Sequence, residues 1–236
     1  MTDRMSFENP PIVDPCLSAS DLQRILSLQG EILRQAVVRT DYTELMNELC
    51  LLAESFTPNA AAAIILYDKD RDAIFVEAGP SLSADARLVF NGLRSGIGSC
   101  GNTVYHKEPM YVCNTLEDVR WKGHADVAMR LNICSCFSFP ILDGDGNAIG
   151  SFSISSFEPR TPDGFHRALL ETCTSICGGN AEAVSAGRYK ENSLRTVSLT
   201  RRRLRENVLD HIAGNISQSS LNTIVIVSQS FMVQPQ

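Results

Sequence analysis

Residues 133–157, ICSCFSFPILDGDGNAIGSFSISSF, decide the fold. Two apolar runs flank the polar stretch Asp143-Gly144-Asp145-Gly146-Asn147, and a turn of that composition between strand-like runs predicts an antiparallel hairpin. On the second run Ser151, Ser153 and Ser155 alternate with Phe152 and Ile154, so one face of the strand is small and polar and the other apolar. On the first run the same alternation turns Cys134 and Cys136 to one side. A row of small hydroxyls leaves both volume and hydrogen bonds, which suits a pocket floor; an exposed strand face would look the same.

Upstream, AAAIILYD (61–68) and DAIFVEAG (72–79) are two more short apolar runs across a charged turn, a second hairpin. SADARLVFNGL (83–93) predicts a short helix, PMYVCN (109–114) a strand, and EDVRWKGHADVAMRLN (117–132) contains a further helix. Ahead of them, Ser20 with Gln23 makes a capping-box start. Leu22, Ile25, Leu26, Gln29, Ile32, Leu33 and Ala36 then mark one amphipathic stripe. Asp41 with Glu44 repeats the start signal, and Leu45, Leu49 and Leu52 carry a second helix to the break at Thr57-Pro58. From Pro162 a helical pattern runs to about residue 213, with a weak point at Gly178-Gly179. This order of elements predicts an α+β domain, an antiparallel sheet with helices packed against it. Long helices leaving a domain at both ends usually pair with the same helices of a second chain, so a homodimer is expected.

The bulk properties of the 236 residues agree: 44% hydrophobic and 20% charged is the balance of a soluble globular chain. A net charge of -6 and a pI near 5.2 leave no field to collect nucleic acid on the main domain. The arginines of LTRRRLRENV (199–208) are read as the solvated face of a helix. The N-terminus has no apolar signal region and no window supplies the roughly 18 apolar residues of a membrane span. A cytoplasmic location without membrane attachment is expected, and the 8 cysteines are then read as thiols, mostly filling the core.

GIGSCGNT (96–103) concentrates the candidate chemistry. It lacks the Gly-Lys-Ser/Thr end of a phosphate loop and the strand before a dinucleotide turn, although helix-start amides there could face an anion. Trp121 is the only tryptophan, either a core plug or a lid over a flat or apolar ligand. Cys134, Cys136, Cys100, Cys113, His106 and His124 could in principle make a metal site, but no tight C-x-x-C knuckle is present. Cys173 and Cys177 share one helix face and read as core.

GIGSCGNTVYHKEPMYV (96–112), LEDVRW (116–121), CSCFSFPILDGDGNAIGSFSI (134–154) and EPRTPD (158–163) together resemble the GAF family of small-molecule sensing domains found ahead of GGDEF, EAL or histidine kinase domains. The resemblance covers roughly residues 25–185. It implies a sheet of about six strands with helices on both faces, the terminal helices on one and a ligand pocket on the other. The roof would be the helix after the GSCG turn and the Trp-bearing segment. Residues 1–19 are then a flexible lead-in, 20–185 the sensory domain, 186–214 a helical signalling linker and 215–236 a tail without assignment.

The pocket is expected to be lined by Ser99, Cys100, Trp121, Met129, Cys136, Phe137, Ser138, Ser151 and Ser153. It would take an unidentified small molecule, with no cofactor or metal named, and no catalytic residue is assigned. The implied role is regulation of an output domain or partner protein, cyclic-di-GMP turnover or phosphotransfer, in a bacterial signalling protein. One GAF branch, the free methionine-R-sulfoxide reductases, offers an enzymatic alternative. Cys100 matches the cysteine of their turn, but Val127 stands where their attacking cysteine belongs. A metal or heme redox sensor is the other alternative, with His106 or His124 as ligands.

Overall fold

A computed structural model describes residues 8–38 and 41–178. Six strands form one antiparallel sheet: β1 (Ala60–Asp68), β2 (Ala73–Ala78), β3 (Leu93–Arg94), β4 (Met110–Val112), β5 (Ser135–Leu142) and β6 (Ala148–Ser156), in the order β3-β2-β1-β6-β5-β4. Both predicted hairpins are present. Asp143 closes the β5–β6 turn by accepting from the backbone N–H groups of Asp145 and Asn147, and Asp68 does the same for Asp70 and Arg71 in the β1–β2 turn. β3 begins at the last residue of the stretch 83–93 that the sequence pattern marks as helix. The helix α3 (Ala84–Phe90) stops at Asn91, Gly92 turns the chain at φ 87°, and Leu93–Arg94 pair with β2.

Cross-strand register separates the two faces. Ala63, Ser153, Ser138 and Met110 are successive partners across β1, β6, β5 and β4, while Ile64, Phe152 and Phe139 form the neighbouring row with side chains on the opposite face. The apolar face packs on α2 (Tyr42–Phe56) and α6 (Gly164–Gly178), with Met46, Leu49, Cys50 and Ala53 of α2 and Leu169, Leu170, Cys173 and Cys177 of α6 all buried. The other face carries α4 (Gly98–His106), the 3₁₀ turn Val119–Trp121 and α5 (Ala125–Leu131). The helices therefore lie on both faces, as expected.

Three sequence readings change at the N-terminus. Residues 8–18 are anchored rather than loose. Asn9 donates to Pro109 O at 2.7 Å and accepts from Tyr111 N at 3.0 Å, and Val13 bridges to Asp163. The cap of α1 (Ala19–Val38) is built from Ser18 and Asp21, each accepting the other's backbone N–H, and not from Ser20 and Gln23. The single stripe on α1 is two: Ile25, Leu28 and Ile32 are buried, whereas Leu22, Leu26 and Leu33 are 50%, 66% and 68% exposed. Asp41 caps α2 as read, accepting from Thr43 and Glu44 backbone N–H groups, and the helix ends at Thr57. The C-terminal continuation of α6, the 186–214 linker and the 215–236 tail lie outside the described residues. Among the described residues no helix is long and apolar enough to cross a membrane.

Candidate functional site

The glycine-rich stretch shapes the approach to α4. Gly96 and Gly98 take φ 84° and 64°, which an L side chain rarely adopts, and a Cβ on Gly101 would stand 2.9 Å from Arg94 O. That close approach seats the first turn of α4 over β5 and β6, so Ser99 and Cys100 face the sheet.

Between this roof and the sheet lies a cavity of about 90 Å³. A single water needs only about 10–15 Å³ by such a measure, so the space accepts a molecule of several heavy atoms. Its floor is Ala63 and Ile65 of β1, Ile74 of β2, Cys136 of β5, and Ser153 and Ser155 of β6. The roof and sides are Ser99 and Cys100, Trp121, His124 and Val127, with Leu82, Val89, Phe90 and Leu93 closing the end near α3. The walls are mostly apolar, and the polar groups gather at the cysteines.

Five of the nine expected lining residues border the cavity: Ser99, Cys100, Trp121, Cys136 and Ser153. Ser138 and Ser151 lie on the same sheet face beside them. Ser138 hydrogen-bonds Cys100 at 3.4 Å, and the buried Ser151 hydroxyl has no partner at hydrogen-bond distance. Two expectations are corrected. Phe137 follows Cys136 on β5, so alternation turns it to the opposite face, where its ring meets His166 of α6 at 5.4 Å. Met129 is on the outer side of α5 and 65% exposed. The α3 wall and His124 are lining residues that the sequence reading missed; the apolar Leu-Val-Phe run at 88–90 was the available signal.

Trp121 is packed in the core and also borders the cavity. Its indole N–H donates to Ser99 Oγ at 2.9 Å, latching the 3₁₀ turn to α4, while its ring packs with Val112, Ala128, Ile133 and Cys136. The turn itself is held by Arg120, which sequence reading did not single out. This buried guanidinium donates to Asp118 Oδ1 at 2.8 Å, to Tyr111 O at 2.5 Å and to Asn9 Oδ1 at 3.1 Å. Burial pushes the Asp118 carboxyl up, but the hydrogen bonds and charge of Arg120 outweigh that and hold it below the usual carboxylate range.

The two cavity cysteines differ in character. Interaction with the Cys136 thiol, together with the hydrogen bond to Ser138 and the nearby Ser153 and Ser151 hydroxyls, lowers the Cys100 thiol to about 6 against the opposing effect of burial. Its place in the first turn of α4 acts in the same direction. Cys136 moves the other way, pushed well up by that interaction with Cys100, by burial and by the neighbouring negative charge. Of the pair, Cys100 is therefore the more acidic thiol and Cys136 the one that holds its proton. Cys50, Cys173 and Cys177 are core thiols raised by burial.

The other candidates do not converge. His106 ends α4 against the ring of Tyr105 and does not line the cavity, whereas His124 does. Cys134 precedes β5 and, like Cys113, does not border the cavity. Among the described residues no group of three metal-ligating side chains comes together. Val127, at the position where the reductase resemblance needs its nucleophile, presents a hydrocarbon side chain to the cavity.

Comparison with known proteins agrees with this architecture. A family model described as GAF domain matches residues 39–179, more than half of the chain. The methyl sulfide methyltransferase-associated sensor of Methanosarcina acetivorans is 21% identical over 215 residues, covering 87% of this chain and 21% of that protein. The chain thus spans about a fifth of that relative's length. Among solved structures, the GAF domain of a phosphoenolpyruvate-protein phosphotransferase from Coxiella burnetii superposes with a TM-score of 0.59 at 14% identity, covering 70% of this chain and 98% of that one. Free methionine-R-sulfoxide reductase from Neisseria meningitidis, in complex with its substrate, superposes at 0.57 and 14% identity, covering 75% and 98%. At these identities the structural likeness speaks for the fold alone.

Proposed function

The chain belongs to the GAF domain family, and from that premise we propose that it is a cytoplasmic sensor module of a signal-transduction protein, binding a small molecule in the cavity beneath α4 and doing no catalysis itself. One observation carries the reading: a partly enclosed, mostly apolar space of about 90 Å³ whose roof and floor belong to different elements. Ligand pockets combine such walls with a few convergent polar groups, supplied here by Ser99, Cys100, Cys136, Ser153 and Ser155. The sensor name of the Methanosarcina relative supports the same reading.

Signalling is then a population shift. A ligand that fits one arrangement of α4 and the Trp121 latch better than another biases the domain by the difference in affinity, typically about 1–3 kcal/mol. In this reading the response passes to a homodimer through the terminal helices. Leu22, Leu26, Gln29, Leu33 and Ala36 repeat at alternating spacings of 4 and 3 residues on the exposed side of α1, the pattern of a coiled-coil seam. The output it regulates is cyclic-di-GMP turnover or phosphotransfer.

Native mass spectrometry of the chain purified from its own host tests the pocket. We expect a small-molecule adduct that is lost when Val127→Phe fills the cavity. An empty protein whose thermal stability responds to no metabolite pool, and which Val127→Phe leaves unchanged, refutes the reading. Light scattering tests the seam: Leu26→Glu with Leu33→Glu should convert a dimer to a monomer, and a monomeric parent refutes it.

A further inference from the structure

The cavity holds more chemistry than packing a ligand requires. Cys100 lies in the roof and Cys136 in the floor, and both sulfurs contact the same hydroxyl, Ser138 Oγ, at 3.4 and 3.7 Å. Both residues line the same cavity. Ser155 Oγ donates to Cys136 at 3.6 Å. Ser151 is fully buried near Cys100, and its hydroxyl has no hydrogen-bond partner. Buried hydroxyls without partners are rare because an unmade hydrogen bond costs about 1–3 kcal/mol, so this one points to a charged or oxidised form of the neighbouring sulfur. The buried core thiols Cys50, Cys173 and Cys177 do not line this cavity.

We propose that Cys100 and Cys136 form a hydroperoxide-reactive dithiol, in which Cys100 is oxidised by a small hydroperoxide entering the cavity and Cys136 then closes a disulfide that staples α4 to β5. The inference rests on the same pocket as the sensor reading and names one chemical class it answers to.

The steps balance. The Cys100 thiolate sulfur attacks one peroxide oxygen; the S–O bond forms, the O–O bond breaks, and the departing oxygen takes a proton and leaves as water or an alcohol. The product is a neutral sulfenic acid. Two of the influences that keep Cys136 protonated, its interaction with the Cys100 thiolate and the charge of that thiolate, end at this moment. The Cys136 sulfur, losing its proton, attacks the Cys100 sulfur; the S–S bond forms, the S–O bond breaks and water departs. In total, one hydroperoxide and two thiols give one disulfide, one water and one water or alcohol.

Closing two sulfurs that now share the Ser138 hydroxyl to a bond of about 2.05 Å pulls the first turn of α4 toward the sheet. Ser99 is the residue next to Cys100 and holds the Trp121 indole. The disulfide therefore strains the latch of the roof, and the single tryptophan reports it.

The test treats the reduced chain with a small excess of hydrogen peroxide, blocks remaining thiols and measures intact and peptide masses without reductant. We expect a product that carries two blocking groups fewer than the identically blocked reduced chain and whose Cys100 and Cys136 peptides are linked, reversed by dithiothreitol and accompanied by a change in Trp121 emission. In Cys136→Ala the link should vanish and Cys100 should be trapped by dimedone as a sulfenic acid. A Cys100 that stays reduced, one that accumulates as sulfinic acid in the parent chain, or a link to any other cysteine overturns the proposal. Because the parent chain supplies the linked peptide directly, the outcome does not depend on the variant folding. Retention of a small-molecule adduct by a chain that forms no disulfide would leave the sensor reading standing and sink only the dithiol.

Discussion

Ser99→Ala removes the acceptor of the Trp121 indole N–H, a 2.9 Å hydrogen bond between two buried side chains. The magnitude follows from what is left behind. A typical buried hydrogen bond contributes about 0.5–1.5 kcal/mol net, but a donor stranded without an acceptor costs about 1–3 kcal/mol. The void left by one oxygen is smaller than a methylene and adds little. We expect a loss of about 1–3 kcal/mol, and for a domain of this size each kcal/mol lowers the melting temperature by about 2–6 °C. Urea unfolding followed in parallel by Trp121 fluorescence and far-ultraviolet circular dichroism measures it, and the two probes should shift together. Trp121→Phe, read by circular dichroism, completes the cycle: in the Ser99→Ala background it should cost about 1 kcal/mol less than it does alone, the coupling expected of groups in contact. A Ser99→Ala protein within about 0.3 kcal/mol of the parent, at the edge of non-coupling scatter, would mean that cavity water serves the indole equally well. The roof would then not be latched through this bond.

Gly150→Ala places a Cβ into the Ile65 carbonyl and 3.1 Å from Leu66 Cα at the end of the β1–β6 pairing; overpacking against backbone should cost about 3 kcal/mol, seen as a fall of the urea midpoint. Arg120→Met leaves Asp118 and the Tyr111 carbonyl without their buried partner, and a loss of about 3–5 kcal/mol is expected, with faster proteolysis at residues 8–18, which Arg120 helps hold through Asn9. Iodoacetamide labelling of Cys100, followed by peptide mass, should rise with pH through a midpoint of about 6, and Cys136→Ala should move that midpoint upward because the largest stabilising interaction is gone. The thiol's folded value lies below its unfolded one, so the stability it contributes is present above the unfolded value near 9 and declines as pH falls through about 6. A labelling midpoint at the ordinary thiol value would remove the thiolate from the site.

Local elements were legible because their signals are local. Asp41 as a cap, the Asp143 turn and the alternation of Ser151, Ser153 and Ser155 with Phe152 and Ile154 depend only on neighbours a few residues away. The seating of Ser99 and Cys100 over the sheet followed from the glycines around them. Two misreadings have different roots. Phe137 belongs on the far face by the same alternation that puts Cys136 in the pocket, so strand period alone was enough to exclude it. On α1 one stripe stood for two faces because Ile25 and its neighbour Leu26 are equally apolar in sequence, and only packing on one side of the helix separates the buried residue from the exposed one.

The amino-acid sequence by itself determined the element order apart from β3, the hairpins, the family and five residues of the cavity wall, since periodicity, turn chemistry and motif spacing are properties of a chain read in one dimension. Tertiary structure alone decided the rest: Arg120 reaching 111 residues back to Asn9, the α3 wall across from Val127, and the meeting of Cys100 with Cys136 over Ser138. These are contacts between distant segments, and the hydrogen bonds and burial that set a thiol's charge exist only once the sheet and its roof have closed around it.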